Sequence, residues 1–204
     1  MICATREAGL LTLTLNRTDK RNALTAVMLA DLDAAIAGAT DLRALVITGA
    51  GAVFSAGADL EEMQAGLGTS PLWERLSGRI ASLPCLTMAA LNGALAGGAM
   101  GMALACDLRL CVPSATFFYP VMRLGFLPQP SDPRRLSALV GPARAKMILM
   151  GGARVDAPEA LAWGLVDRIV APDQLVAQAR VLATDVLGAT PDHMAAIKRM
   201  VPSD

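Results

Sequence analysis

Two stretches of the sequence could do chemistry with almost no chemical side chains. Asn92 to Asp107, NGALAGGAMGMALACD, holds four glycines and five alanines, and its only ionisable groups are Cys106 and Asp107. Val46 to Leu60, VITGAGAVFSAGADL, is built the same way. In each, the Gly/Ala loop follows a strand and leads into a helix. Turns of that kind leave N–H groups unpaired at the helix start, and small residues let a ligand come close to the backbone. Two of them side by side would make a two-donor pocket for a developing oxyanion. Losing one such donor costs roughly 3–4 kcal/mol of transition-state stabilisation. The same composition also suits tight helix–strand packing with no ligand at all, and the residues alone leave both readings open.

Ordinary catalytic side chains are scarce. His193, the one histidine, follows Pro191-Asp192 near the C-terminus and reads as a helix-face or surface residue. Cys3, Cys85, Cys106 and Cys111 contain no Cys-x-x-Cys pair, so a zinc site is not expected. Cys106 falls inside an apolar run and reads as a small hydrophobe. Tyr119, the one tyrosine, is a candidate pocket donor. Trp73 and Trp163 read as core or interface fillers. Eighteen basic and eighteen acidic residues cancel, with no block of like charge to suggest nucleic acid or an anionic membrane. Scattered thiols and an N-terminus without an apolar signal core lead us to expect a cytoplasmic protein. Ala81 to Cys106 carries no charge and is long enough to span a bilayer, but Pro84, Asn92 and the Gly/Ala content favour a segment buried in protein.

The elements that must hold these residues follow from periodicity. Leu10–Leu15, LLTLTL, alternates as a strand with one buried face. Thr25 is placed to cap a helix running to about Ile36, with Met28, Leu29, Leu32 and Ile36 on one face. Arg43–Thr48 and Leu86–Leu91 read as buried strands, Leu108–Val112 as another, and Gly97–Ala105 as a fully buried helix. Pro71 suits the first turn of a helix through about Ser82. Further helices are expected over 134–140, 143–150, 158–163, 174–187 and 192–200. At 204 residues, 54% of them hydrophobic and 3% aromatic, the chain can bury a large aliphatic core. Strands alternating with helices indicate an α/β protein, read as a single domain over 1–204 with its core over about 1–190.

Several segments resemble the enoyl-CoA hydratase/isomerase (crotonase) family in the expected order: NRTDKRNALT (Asn16 to Thr25), ALVITGAGAVFSAGADLEEM (Ala44 to Met63), NGALAGGAMGMALACDLRL (Asn92 to Leu110), LGFLPQPSDPRRL (Leu124 to Leu136) and EALAWGLVDRIV (Glu159 to Val170). The resemblance implies a crotonase-like spiral of ββα units that binds an acyl-coenzyme A thioester. Coenzyme A would then be part of the substrate, with no separate cofactor and no metal. The N–H groups of Ala58 and Gly98 match the family's oxyanion hole, the latter aided by the dipole of the helix it opens. Asn16, Ala56, Leu60 and Gly97 match positions along the coenzyme and substrate path. Lys20 or Arg21 would neutralise a coenzyme phosphate, unless they form an ordinary solvated turn. Met63, Leu67, Trp73 and Leu124 would set pocket depth. A homotrimer is expected by the same likeness, although the family usually continues several dozen residues past the point where this sequence stops, in helices that help build the trimer.

The pattern breaks at its acids. The hydratases' two glutamates correspond to Gly101 and Val121, and an aspartate used by some isomerases corresponds to Gln129. None of the three titrates usefully. General acid–base help is typically worth about 10²–10⁴-fold, so efficient hydration is not expected. Two readings remain: an enzyme working mainly through its oxyanion pocket, such as a decarboxylase or thioesterase, or a non-catalytic acyl-CoA-binding paralogue or partner subunit. Asp132 is a possible relocated acid, but its place just before Arg134 favours a helix cap.

Overall fold

A computed structural model describes residues 1–201 of the chain. Among them, ten strands form two sheets. The larger has the order β1-β2-β3-β5-β7-β10, built from Ile2–Glu7, Leu10–Leu15, Ala44–Gly49, Leu86–Leu91, Leu108–Cys111 and Arg168–Ile169. The smaller has the order β4-β6-β8-β9, built from Val53–Ser55, Ala94–Ala96, Thr116–Phe118 and Val155–Asp156. Only the β1–β2 and β8–β9 pairs are antiparallel. The chain repeats one unit three times: a strand in the large sheet, a short strand in the small sheet, then helix. β3-β4, β5-β6 and β7-β8 are those three pairs, and the second and third each lie parallel beside the pair before in both sheets.

The expected strands and helices are largely present. Strands 10–15 and 86–91 have the expected limits, and Thr25 Oγ1 accepts the Met28 N–H at 3.1 Å to cap the helix Ala26–Ala37. Leu13, Leu15, Met28, Leu29, Leu32, Leu45 and Ile47 are all fully buried in one hydrophobic cluster. Removing side chains of that size from water is worth about 1.5–3 kcal/mol each. No helix of the described residues is long and apolar enough to cross a membrane. The uncharged run 81–106 is divided among the end of a helix, two strands and two helical turns.

Three expectations need correction. The buried helix expected over 97–105 is a 3-10 turn, Gly97–Ala99, followed by a five-residue α-helix, Met100–Leu104, so its dipole is that of a very short element. The expected helix 174–187 breaks at Ala183 into Leu175–Leu182 and Thr184–Gly188. β1, the N-terminal hairpin strand, was not anticipated. It is an edge strand with five of six residues exposed, so it lacks the apolar alternation that marks a half-buried strand.

Two devices fix the pieces that carry the site. Asn92, at the end of β5, accepts the Gly49 N–H through Oδ1 at 3.0 Å and donates through Nδ2 to the Gly51 carbonyl at 2.9 Å. One repeat thereby clamps the loop of the repeat before it. The next residue must be glycine, because a Cβ on Gly93 would lie 2.0 Å from the Ala52 carbonyl oxygen. The helix Leu72–Ser82, which carries Trp73 and Glu74, is tied to Ala26–Ala37 through Asp33, whose carboxylate meets both Arg75 and Arg79.

Candidate functional site

The two Gly/Ala loops touch. Gly57, at φ +97°, follows β4, and Gly97, at φ +55°, follows β6. A Cβ on Gly57 would lie 3.0 Å from the Ala96 carbonyl oxygen and 3.6 Å from the Gly97 Cα, so only glycine meets both the conformation and the spacing. Ala58 and Gly98, the residues that follow, line one cavity of about 270 Å³. Leu24 pairs with the first loop on either side of Ala58, accepting from Asp59 N–H and donating to the Gly57 carbonyl, which leaves the Ala58 N–H out of that bridge. Gly98 sits at the second position of a helical turn, where an N–H has no partner within the helix. Ala56, Leu60 and Gly97 line the same cavity, as do Met63, Trp73 and Leu124. Trp73 is anchored by its indole N–H on the Leu67 carbonyl at 2.8 Å, and its ring covers Gly98 closely enough that a Cβ there would lie 3.3 Å away.

Of the remaining candidates, Asn16 is exposed and bonds Cys3 and the Met1 carbonyl through its amide groups rather than lining the cavity. Lys20 and Arg21 are exposed on a 3-10 turn beside it. That turn is fastened to the cavity loop by the Ala56 N–H, which donates to the Arg21 carbonyl at 3.0 Å. Two residues not singled out in the sequence do the fastening. Fully buried Asn22 donates to the Ala50 and Val53 carbonyls and accepts the Arg17 N–H. Arg17 pairs with Asp59 at 2.7 Å and also donates to the Ala23 carbonyl. The Arg17 guanidinium holds the Asp59 carboxyl below its usual range, while Asp59 caps the short helix Leu60–Gln64. Arg and Asn in a polar loop look like solvated residues, and only the tertiary contact distinguishes them.

The acid positions are not simply vacant. Val121 and Gln129 line the cavity, and Gln129 donates from Nε2 to the Gly68 carbonyl at 3.1 Å. Gly101 lies behind the lining, and the carboxylate of Asp132 occupies the space beside it. A Cβ built on Gly101 would lie 2.9 Å from Asp132 Oδ1 and 3.4 Å from Oδ2. The capping expected of Asp132 does not occur: Asp132 is the first residue of the helix Asp132–Val140, and its side chain turns inward, fully buried. The N-terminus of that helix is held by Glu74 instead, which accepts the Ser131 N–H at 3.0 Å and the Ser131 hydroxyl at 2.5 Å. Asp132 Oδ2 accepts the Tyr119 hydroxyl at 2.9 Å, and Oδ1 has no partner among the described residues.

Tyr119 joins this carboxylate to the cavity. It lines the cavity while 2% exposed, and its hydroxyl also accepts the Gln129 N–H at 3.3 Å. Burial pushes Asp132 up to about 7 and Glu74 adds to the rise, while the Tyr119 hydrogen bond and Arg135 oppose it. Burial, then the charge of Asp132, raises Tyr119 far above its ordinary value, so it stays a neutral phenol. Cys106 is 4% exposed, and burial pushes its thiol up to about 12, which leaves no thiolate for nucleophilic chemistry. His193 is exposed on the helix Pro191–Met200, away from the cavity lining.

A family model described as enoyl-CoA hydratase/isomerase matches residues 5–204. The carnitinyl-CoA dehydratase of Citrobacter koseri is 36% identical over 206 residues, which cover 96% of this chain and 78% of that protein. The crystal structure of enoyl-CoA hydratase from Mycobacterium tuberculosis H37Rv superimposes with a TM-score of 0.86 at 33% identity, over 96% of this chain and 86% of that one. Enoyl-CoA hydratase from Bacillus anthracis gives 0.89 at 28% identity, over 98% and 81%. The three-fold ββα repeat, the touching glycine loops and a match over nearly the whole length agree: this chain has the crotonase fold and belongs to the enoyl-CoA hydratase/isomerase family.

Proposed function

We propose that the protein binds an acyl-CoA thioester and polarises its carbonyl through the N–H groups of Ala58 and Gly98. The observation that carries this is the Gly57–Gly97 contact, which brings two consecutive-residue donors to one cavity without any intervening side chain. Donors fixed in advance around a developing oxyanion typically supply the largest single share of such catalysis. Beside the polar Gln64, Tyr119 and Gln129, the lining includes Leu60, Met63, Trp73 and Leu124, which suit an acyl chain. Lys20 and Arg21, exposed on the turn fastened to Ala56, would meet the phosphates of coenzyme A.

Efficient hydration does not belong to this reading. Val121 offers no proton acceptor in the cavity wall, and the room beside Gly101 is filled by Asp132. Calorimetry with free coenzyme A, acetyl-CoA and butyryl-CoA tests the binding: the thioesters should bind more tightly than the free thiol. Failure of all three to bind would remove the proposal. Crotonyl-CoA hydration should run roughly 10²–10⁴-fold below that of a relative with both glutamates. The non-titrating Val121 and Gln129 favour, as a second reading, a binding protein or partner subunit that performs no turnover. Mass spectrometry of a thioester panel, all returned unchanged, would select it.

A further inference from the structure

The Tyr119–Asp132 pair is unexplained by carbonyl polarisation alone. A carboxylate with no exposure and one unpartnered oxygen is an expensive thing to keep inside a fold. Its one hydrogen bond comes from the hydroxyl of Tyr119, a residue that lines the cavity shared with Ala58 and Gly98. We propose that Tyr119 and Asp132 form a proton relay serving carbon 2 of the bound acyl group, with Tyr119 the catalytic residue and Asp132 a positioning residue that holds the proton behind it. The proposal rests on the thioester reading of the cavity given above.

The relay balances without making a tyrosinate. A phenol has one O–H and two lone pairs. With Asp132 ionised, Tyr119 donates to Oδ2 and turns a lone pair to the cavity. A proton leaving carbon 2 is taken by Tyr119 Oη as its own proton passes to Asp132. The C–H pair becomes the enolate π bond, and the carbonyl becomes the oxyanion held by the two N–H groups. In reverse, protonated Asp132 donates to Oη, Tyr119 gives its proton to carbon 2, the C–O bond regains its double character, and the negative charge ends on Asp132. The Gln129 N–H on Oη and the side of Gly101 against Oδ1 keep the pair in line. The charged and titratable groups facing Asp132 are Tyr119, Glu74 from the helix Leu72–Ser82, and Arg135 from its own helix. An aspartate that titrates near 7 is matched to such work at neutral pH.

Deuterium incorporation at carbon 2 of butyryl-CoA in heavy water, followed by mass spectrometry, tests the relay, with binding measured in parallel by calorimetry. Wild type should exchange, with a rate that rises with pH through about 7 as Asp132 ionises. Tyr119→Phe and Asp132→Asn should each lose about 100-fold or more, while binding butyryl-CoA within about three-fold of wild type. The pH inflection should vanish in Asp132→Asn, which a merely structural role would leave in place. If the Asn variant does not fold, Tyr119→Phe decides alone, since it removes only the hydroxyl. Butyryl-CoA that binds but is not exchanged by wild type, or exchange that survives in Tyr119→Phe, overturns the relay and leaves the binding proposal standing. Absence of binding overturns the binding proposal and the relay with it.

Discussion

The carboxylate of Asp132 lies where a side chain on residue 101 would have to go, 2.9 Å from the Cβ that Gly101 lacks. The two positions are 31 residues apart in sequence and sit on different helices. Their identities are therefore linked: a glycine at 101 makes room for an aspartate at 132, and an acid at 101 would exclude it.

That linkage has a thermodynamic signature. Gly101→Ala in the native background should destabilise by about 1–3 kcal/mol, because the new methyl displaces a buried carboxylate. In an Asp132→Ala background the same change should be neutral or stabilising by up to about 1 kcal/mol, the helix propensity gain. A double-mutant cycle by urea denaturation should show coupling of about 1–4 kcal/mol. Additive effects would refute the shared space.

The stability should also depend on pH through Asp132. Its carboxyl is raised from 3.8 to about 7 on folding, so between those values the native state holds a proton that the unfolded chain has lost. Stability must then fall as pH rises from about 4 to about 7 and level off above, by on the order of 4 kcal/mol at most from this group. Asp132→Asn should abolish this trend and raise Tm at pH 8 more than at pH 5. Thermal melts of both proteins at the two pH values decide it.

Glu74→Gln should act on the same helix from the other end. The Ser131 N–H loses a charged acceptor at a helix N-terminus, at a cost of about 0.5–2 kcal/mol. Because Glu74 also pushes the Asp132 carboxyl up, its neutralisation should move the pH-dependent part of the stability curve to lower pH. A midpoint that stays in place or moves upward would contradict this assignment.

Gly57→Ala probes the loop contact. Its φ of +97° strains any L side chain, and its Cβ would meet the Ala96 carbonyl at 3.0 Å. A loss of about 1–3 kcal/mol in stability is expected. Affinity for butyryl-CoA should fall more than affinity for free coenzyme A, since the proposed function gives the displaced Ala58 N–H to the carbonyl and not to the nucleotide. Equal losses in the two calorimetric titrations would argue against that placement.

The legibility of the chain differed by the range of the forces involved. Leu10–Leu15 and Leu86–Leu91 could be read because burial imprints a local pattern, and the Thr25 cap because its donor lies three residues on. The two glycine loops were visible as a composition, and the family likeness supplied what composition left undecided. The position of Asp132 before a helix suggests a local cap, whereas Glu74, 57 residues from Ser131, holds that helix end. Arg17 and Asn22 carry no local signal for the same reason: their partners Asp59, Ala50 and Val53 lie far along the chain. Exposure hid β1, whose residues face solvent with no apolar alternation.

The pocket proposed for the carbonyl lies where β4 and β6 run side by side, Val53 opposite Ala94 and Ser55 opposite Leu95, so the loops carrying Ala58 and Gly98 are aligned by neighbouring coils. No functional group on any side chain has to be preserved for it to persist. On the thioester reading, such a scaffold can hold a glycine at position 101 and an acid at position 132, because the part proposed to grip the thioester belongs to the backbone itself.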